Sequence, residues 1–376
     1  MITADVHVCL VSEQLLPNLL PVLDPESRPE KVVLLVTPRM ASEAERLSLL
    51  LREVGCRSVM KEIRAYRIED IREVVLKVLA EFSGRKITLN ATGGTKIMSL
   101  GAAGVFLEFN LPVFYIDSEN DSSISLSSPH NSSILRDLLK VETCLKCYGY
   151  EIISSGDALL QLFNRNLYQA LVDGMERWEK PLGSLNYYAG RAEKSLWTHI
   201  DSPKMANHDF LALVELFNQA GHLDCVGNRL IFKDEESRRL VQGGWLEQYV
   251  YSLLEDLRRT KKVKDVAVGV VVKNKRGTKN EIDVACTYAN RLHVVECKTA
   301  QLRGDGKKGD DVVYKLDNLR DLMGGSYGRA LLVSYHHLRV EDIKRCQDNN
   351  VSVVYGRKLQ QLKSNLPLWL EGRFLV

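Results

Sequence analysis

No stretch of the chain keeps apolar residues together for the roughly 20 positions that a membrane helix requires. A membrane span is therefore not expected. The first 14 residues lack a basic opening and carry Asp5 and His7 inside their apolar run. They read as a buried first strand, not as a signal peptide. Cysteine is dispersed. Its eight residues include one CxxC, Cys144 to Cys147, with no second pair nearby, so neither a disulfide framework nor a zinc site is expected. Scattered, reduced thiols suit a cytoplasmic protein. The P-loop pattern, GxxxxGK followed by Ser or Thr, is absent. The net charge of +3 is too small to name a partner.

What remains is a soluble globular composition, 45% hydrophobic and 26% charged, on 376 residues, enough for two or three domains. Charge is uneven along it. Arg258 to Lys279 holds nine Lys or Arg against one Asp. Such a stripe can meet a phosphate backbone or simply guard a strand edge with solvated lysines.

The first third alternates strand and helix. DVHVCLV at 5–11, KVVLLV at 31–36, 58–63, 86–89 and LPVFYI at 111–116 read as strands, with helical apolar spacing over 41–54, 68–82 and 97–109. That order predicts a parallel, doubly wound sheet, in which ligands bind at the carboxyl ends of strands. Three turns would lie there: Ser12, Thr37-Pro38-Arg39, and Asn90-Ala91-Thr92-Gly93-Gly94-Thr95-Lys96. In the last, two glycines permit close backbone approach, two hydroxyls and a Lys are on offer, and the next helix presents free N–H groups. The loop is neither a P-loop nor GxGxxG. It reads as a phosphate or nucleotide cradle, or as a tight strand–helix turn with a Thr cap.

The stretch from Asn280 to Thr299 carries the candidate chemistry. Its period of two predicts two strands, with Ile282, Val284 and Cys286 on one face and Glu281, Asp283 and Ala285 on the other. A two-residue turn at Ala289-Asn290 pairs Tyr288 with Arg291. Counting back along both strands sets Asp283 opposite Glu296 and Glu281 opposite Lys298, all on one face. Opposed side chains have Cβ atoms roughly 5 Å apart. Two carboxylates that close need a proton or a cation between them. Mg²⁺ or Mn²⁺ suits their oxygens, with Lys298 beside them to hold a water or a developing charge. The plainer reading is a charged strand face with a Glu281–Lys298 ion pair.

Asp283 with Glu296-Cys297-Lys298 resembles the PD-(D/E)xK nuclease motif. Together with a Rossmann-like N-terminal domain and its ATGGTK loop, the whole chain resembles the CARF-domain nucleases of type III CRISPR defence. The resemblance implies an α/β chain with a CARF domain over 1–145, a connector over 146–240, winged-helix-like in part, and a PD-(D/E)xK domain over 241–376. It implies cyclic tetra-adenylate as activator and a homodimer whose two-fold axis matches the ring. It also implies cleavage of RNA or of single-stranded or duplex DNA, with Mn²⁺ or Mg²⁺. Carried over by motif, Asp283, Glu296 and the Cys297 carbonyl would hold the metal, and Glu247, by its place in the first helix, would assist. Lys298 and Glu281 would complete the catalytic set. Asn90 and Thr92 to Lys96 would belong to the activator pocket, joined by position by Ser12, Thr37, Pro38 and Arg39. Two rival functions are a DNA-binding regulator without nuclease activity and a ring nuclease that degrades cyclic oligoadenylate. Expected late features are a mobile glycine-rich loop over 300–310 and a helix over 311–323.

Overall fold

In the computed structural model of the chain, residues 3–127, 132–156, 164–300, 316 and 328–373 are described. All of the loop expected over 300–310 except Ala300, and all of the helix expected over 311–323 except Leu316, lie outside them.

The N-terminal unit runs β1 (Val6–Leu10), α1 (Leu16–Leu23), β2 (Lys31–Val36), α2 (Ala41–Glu53), β3 (Arg57–Glu62), α3 (Ile68–Glu81), β4 (Ile87–Asn90), α4 (Lys96–Glu108) and β5 (Val113–Asp117). Its sheet has the order β3-β2-β1-β4-β5, all parallel, and is extended by antiparallel β6 (Ser122–Ser125) and β7 (Ser132–Ile134). Strands covered on both faces read as unbroken apolar runs, as β1 and β2 do. Val8, Leu10 and Val33 pack with Ile71, Val75, Met98 and Val105 on one face. Cys9, Val32 and Leu34 pack with Leu19, Leu47 and Leu51 on the other. Each such side chain, fully buried, stabilises by roughly 1.5–3 kcal/mol. The order reverses between β1 and β4, which makes their carboxyl ends the switch point where a ligand is expected. Helix α1 is not among the predicted elements. Pro17 is tolerated at its start, but Pro21 inside it hides the helical pattern.

Next come α5 (Val141–Cys147), β8 (Glu151–Ser154), α6 (Arg165–Asp173), α7 (Met175–Arg191), β9 (Trp197–His199), α8 (Ser202–Met205), α9 (His208–Gln219), β10 (Leu223–Val226), β11 (Arg229–Phe232) and α10 (Glu235–Arg239). Strands β10-β11-β9 form a small antiparallel sheet.

The C-terminal unit opens with α11 (Trp245–Arg259) and continues through β12 (Asp265–Lys273), β13 (Lys279–Tyr288), β14 (Arg291–Lys298), β15 (Arg329–Ser334), α12 (Val340–Asp348), β16 (Val351–Tyr355) and α13 (Leu362–Leu370). Its sheet order is β16-β15-β14-β13-β12-β8, parallel from β14 to β16 and antiparallel elsewhere. Strand β8, which lies inside the stretch read as a connector, is thus an edge of this sheet.

One core joins the two units. Phe114 and Ile116 of β5 pack in the same cluster as Cys144 and Leu145 of α5 and Ile282, Ala285 and Val294 of the β13–β14 hairpin. The hairpin tip is also fastened to the N-terminal unit. Asn290 is buried there. Its Oδ1 accepts from the N–H groups of Leu138 at 3.0 Å and Leu139 at 3.2 Å. Its Nδ2 donates to the Asp121 carboxylate at 2.9 Å and to the Arg136 carbonyl at 3.0 Å. Asp137 in turn accepts from the N–H groups of Ala289 and Asn290, and Arg291 donates to the carbonyls of Ser118 and Glu119.

Candidate active site and ligand cavity

The hairpin turn is the one predicted. Ala289 and Asn290 have φ of 48° and 51°, the mirror-image turn whose twist matches paired strands. The register runs from Tyr288–Arg291 to Val284–Val295. Beyond that pair the predicted face pattern fails. Val284, Cys286, Val295 and Cys297 enter one core, whereas Ile282, two residues from Val284, enters the other. The neighbouring strand β12 switches in the same place, with Val268 in the first core and Val270 in the second. Between them Gly269 has φ 56°, a left-handed conformation that inverts the pleat and that glycine adopts without steric cost. Asp283 therefore sits where the regular alternation ends. The expectation that Ile282, Val284 and Cys286 share a face is corrected accordingly.

Asp283 and Glu296 nonetheless reach one point. The Lys298 ammonium lies 2.6 Å from Glu296 Oε1 and 3.8 Å from Asp283 Oδ2. The Cys297 N–H donates to Asp283 Oδ2 at 2.7 Å. Asp283 is 6% exposed and Glu296 2%, so these charges meet with little water between them. Burial works against the charge of Lys298, but Glu296 and Asp283 outweigh it and hold its pKa above the ordinary value. The described ion pairs of Lys298 are with these two carboxylates; Glu281, the partner predicted for it, instead lines a neighbouring cavity with Glu247.

Helix α11 supplies Glu247. Its apolar stripe, Trp245, Leu246, Tyr249, Val250 and Leu254, packs in one core with Val284, Cys286, Val295 and Cys297. This holds the first turn against the acidic end of the hairpin. Burial, then the charges of Asp283 and Glu281, push the Glu247 carboxyl up to about 8 against Lys298, which pulls the other way. Two carboxylates, Asp283 and Glu296, thus pair with one ammonium, and Glu247 and Glu281 stand on the wall of the adjoining cavity. Among the described residues no three His, Cys, Asp or Glu side chains form a ready-made metal cage: Lys298 stands between two of the acids, and Glu247 favours a proton. All four donors are hard oxygens in charge excess, a set that fits a divalent cation of the Mg²⁺ type. Part of the basic stripe is already engaged, since Arg258 and Arg259 pair with Glu255 at 2.7 and 3.5 Å and Lys275 reaches Ser42.

At the switch point of the N-terminal sheet lies a cavity of about 520 Å³. Of the predicted residues, Ser12, Thr37, Pro38, Arg39, Gly94 and Thr95 line it. Asn90, Thr92 and Gly93 stand behind the lining and shape the loop. Thr92 Oγ1 donates to Asn90 Oδ1 at 2.6 Å and accepts from the Ile116 N–H at 2.7 Å. Asn90 Nδ2 donates to Pro17 O and Asn18 Oδ1. A Cβ at Gly93 would lie 2.0 Å from the Leu10 carbonyl oxygen. Thr95 caps α4 by accepting from the Met98 N–H and donates to Ala65 O at 3.0 Å. Lys96 is exposed in the first turn of that helix and is not part of the lining. The prediction missed Val11, Glu13, Gln14, Met40, Ala65, Tyr66 and Met98. Ala65 and Tyr66 follow β3, and the rule that selects strand carboxyl ends would have found them. Glu13 pairs with Arg39 at 3.0 Å, both well exposed.

Two family models match the chain. The Card1 CARF domain matches residues 6–142, and the Card1-like endonuclease domain matches residues 234–372. The chain belongs to the CARF nucleases of type III CRISPR defence. It is an endonuclease, with the CARF domain carrying the 520 Å³ cavity and the endonuclease domain carrying Asp283, Glu296 and Lys298. The family is one of nucleases switched on by cyclic oligoadenylate. The endonuclease domain fits dependence on a divalent metal.

Solved structures agree. Protein VC1899 from Vibrio cholerae superposes with a TM-score of 0.91 at 26% identity, covering 98% of each chain. Can2 from Sulfobacillus thermosulfidooxidans, in complex with cyclic tetra-adenylate, gives 0.80 at 28% identity, covering 97% of this chain and 99% of that one. A type III CRISPR defence DNA nuclease activated by cyclic oligoadenylate shares the fold at 0.57 and 20% identity, over 89% of this chain and 46% of its own. No curated protein matches the chain. No helix among the described residues is long and apolar enough to cross a membrane.

Proposed function

We propose that this CARF nuclease is activated by cyclic tetra-adenylate and hydrolyses phosphodiester bonds in RNA, DNA or both with Mn²⁺ or Mg²⁺. Its working parts are taken as a sensor over 1–145, a connector over 146–240 that also lends β8 to the nuclease sheet, and a nuclease over 241–376. One observation carries the hydrolytic half: a single ammonium reaches both Asp283 and Glu296 in a dry setting, while Glu247 beside them is pushed towards protonation by burial and then by the charges of Asp283 and Glu281.

Asp283, Glu296 and the Cys297 carbonyl would hold the metal, with Glu247 assisting. When bound, such an ion activates water and offsets charge on the phosphate oxygens. Lys298 remains cationic throughout and stabilises charge that develops on the phosphoryl group. Glu281 stands at the neighbouring wall as a further carboxylate. Burial and the neighbouring carboxylates favour the protonated form of Glu247, and a bound divalent cation would oppose that preference.

In the sensor, the cavity lined by Ser12, Thr37 to Arg39, Gly94 and Thr95 takes the activator. The likeness to Can2, determined with cyclic tetra-adenylate, supports that ring size. A ring with internal rotational symmetry suits a homodimer that reads it with the same residues twice. Transmission runs through bonded neighbours: Thr92 to Ile116 on β5, then the turn that follows β5 to Asn290 and Arg291 at the hairpin tip. The test is to incubate the protein with cyclic oligoadenylates of several ring sizes, Mn²⁺ or Mg²⁺, and labelled RNA and DNA. Cutting that needs both the four-membered ring and the metal is expected. Cutting without either, or none with both, would refute the reading.

A further inference from the structure

The acidic site is assembled from segments that are distant in sequence. Glu247 stands in the first turn of α11, whereas Glu296 and Lys298 end β14. The residues beside each segment show what sets the spacing between them. Thr299 directly follows Lys298. Before α11 the chain makes a π-helical turn over Leu240–Gly244, a feature frequent at functional sites. Inside that turn Gly243 has φ 140°, a conformation that favours glycine. A Cβ there would lie 2.1 Å from Thr299 Oγ1. Glycine thus lets the turn before α11 press directly on the residue after Lys298.

Asn186 of the connector helix α7 joins the same two places. The helix is firmly seated, since Leu182, Leu185 and Ala189 are buried in one core with Trp245, Leu246 and Cys297. One end of the Asn186 amide meets Thr299 Oγ1 at 3.4 Å. Its other end faces the carbonyls of Leu182 and Val241 at 3.1 Å each and of Gln242 at 3.3 Å. Carbonyls only accept, so the amide nitrogen belongs on that side and donates to them. The amide oxygen is left to accept from the Thr299 hydroxyl. Val241 and Gln242 both belong to the π turn. A single half-buried amide therefore links the lead-in of α11 to the end of the catalytic strand.

Resting on the nuclease reading above, we infer that Asn186 is a positioning residue. Through Thr299 and the π turn it fixes Glu247 relative to Glu296 and Lys298, and with them the geometry that receives a divalent cation. Misplacing reacting groups by about 1 Å can cost on the order of 100-fold in rate. Loss of a hydrogen-bond partner behind metal ligands typically costs about 10-fold or more in metal affinity or activity.

The test removes each end of the link in turn. Asn186→Ala deletes the amide, Thr299→Val deletes the hydroxyl while keeping the side-chain shape, and Thr299→Ser restores the hydroxyl. Activated protein is assayed for cutting over a range of substrate concentrations. Mn²⁺ binding is measured separately by calorimetry without substrate, so that it does not depend on turnover. Asn186→Ala and Thr299→Val should each lower kcat about tenfold with KM little changed, and weaken Mn²⁺ binding about tenfold. Thr299→Ser should stay within a few fold of wild type in both. The double variant, Asn186→Ala with Thr299→Val, should be no worse than the poorer single one, because both break one link. A purely structural role would lower the melting temperature and leave kcat and Mn²⁺ affinity as in wild type; that result, or fully additive losses in the double variant, would overturn the inference. Thr299→Val against Thr299→Ser keeps the test decisive should Asn186→Ala fail to fold. Wild-type protein that cuts no strand would instead defeat the nuclease reading on which the inference rests, and the two failures are told apart before any variant is compared.

Discussion

The most exposed point of the account is the buried amide at the hairpin tip. Asn290→Ala removes an acceptor shared by the N–H groups of Leu138 and Leu139 and a donor to Asp121 and the Arg136 carbonyl. The residue is 4% exposed, so water does not readily replace it. Orphaning the two amides costs about 1–3 kcal/mol each. Holding Ala at φ 51° adds about 1 kcal/mol. A destabilisation of about 4 kcal/mol is expected in urea unfolding followed by circular dichroism. Asn290→Gly relieves the backbone part and should recover about 1 kcal/mol. Asn290→Asp keeps both acceptor bonds but sets a third carboxylate beside Asp121 and Asp137, whose carboxyls burial already pushes up. Its defect should ease as pH falls. In each variant activator binding, measured by calorimetry, should persist while stimulation of cutting falls. If Asn290→Ala unfolds within 1 kcal/mol of wild type and responds fully to activator, the tip neither holds nor transmits, and the route drawn through it is wrong.

Three further outcomes follow from the geometry. Glu247 has its carboxyl raised from 4.5 to about 8, so the stability it contributes is complete below pH 4.5 and is lost as pH rises through 8. At about 1.4 kcal/mol per unit the loss is on the order of 5 kcal/mol. Thermal melting of metal-free protein from pH 5 to 9 should show it, Glu247→Gln should flatten the curve, and Mn²⁺ should restore stability at pH 8; a flat wild-type curve would refute the charge excess. Gly93→Ala forces the loop off the Leu10 carbonyl, and calorimetry should find activator binding weakened by at least tenfold, with unchanged binding counting against the cavity as the activator site. Gly269→Ala, at φ 56°, should cost about 1 kcal/mol in unfolding and slow cutting by displacing Asp283, so an unchanged rate would separate the pleat inversion from the site.

Much of this was legible in the chain itself. The parallel sheet shows because strands buried on both faces leave apolar runs such as KVVLLV. The hairpin register shows because a two-residue turn at Ala289-Asn290 leaves only one pairing. What was hidden is either local conformation or distant partnership. Nothing in a period of two announces that Gly269 turns left-handed and sends Ile282 and Val284 into different cores. Strand β8 could not be placed, since its partner β12 lies more than a hundred residues on and only tertiary packing joins them. Helix α1 was masked by its own prolines. In the activator cavity, Tyr66 was missed because its turn carries no glycine or Lys to draw notice, although it closes a strand like the others. Lys298 lies beside the acids as expected, but its ion pairs are with Glu296 and Asp283 and not with Glu281, the residue opposite it in the predicted register.

The central claim is that Glu296, Asp283 and Lys298 form the hydrolytic centre of an activator-controlled nuclease. Its most direct test is Glu296→Ala, assayed for metal-dependent cutting of labelled RNA and DNA alongside calorimetric binding of cyclic tetra-adenylate. The account predicts that cutting disappears while the activator binds as in wild type. A variant that still cuts at the wild-type rate would contradict it.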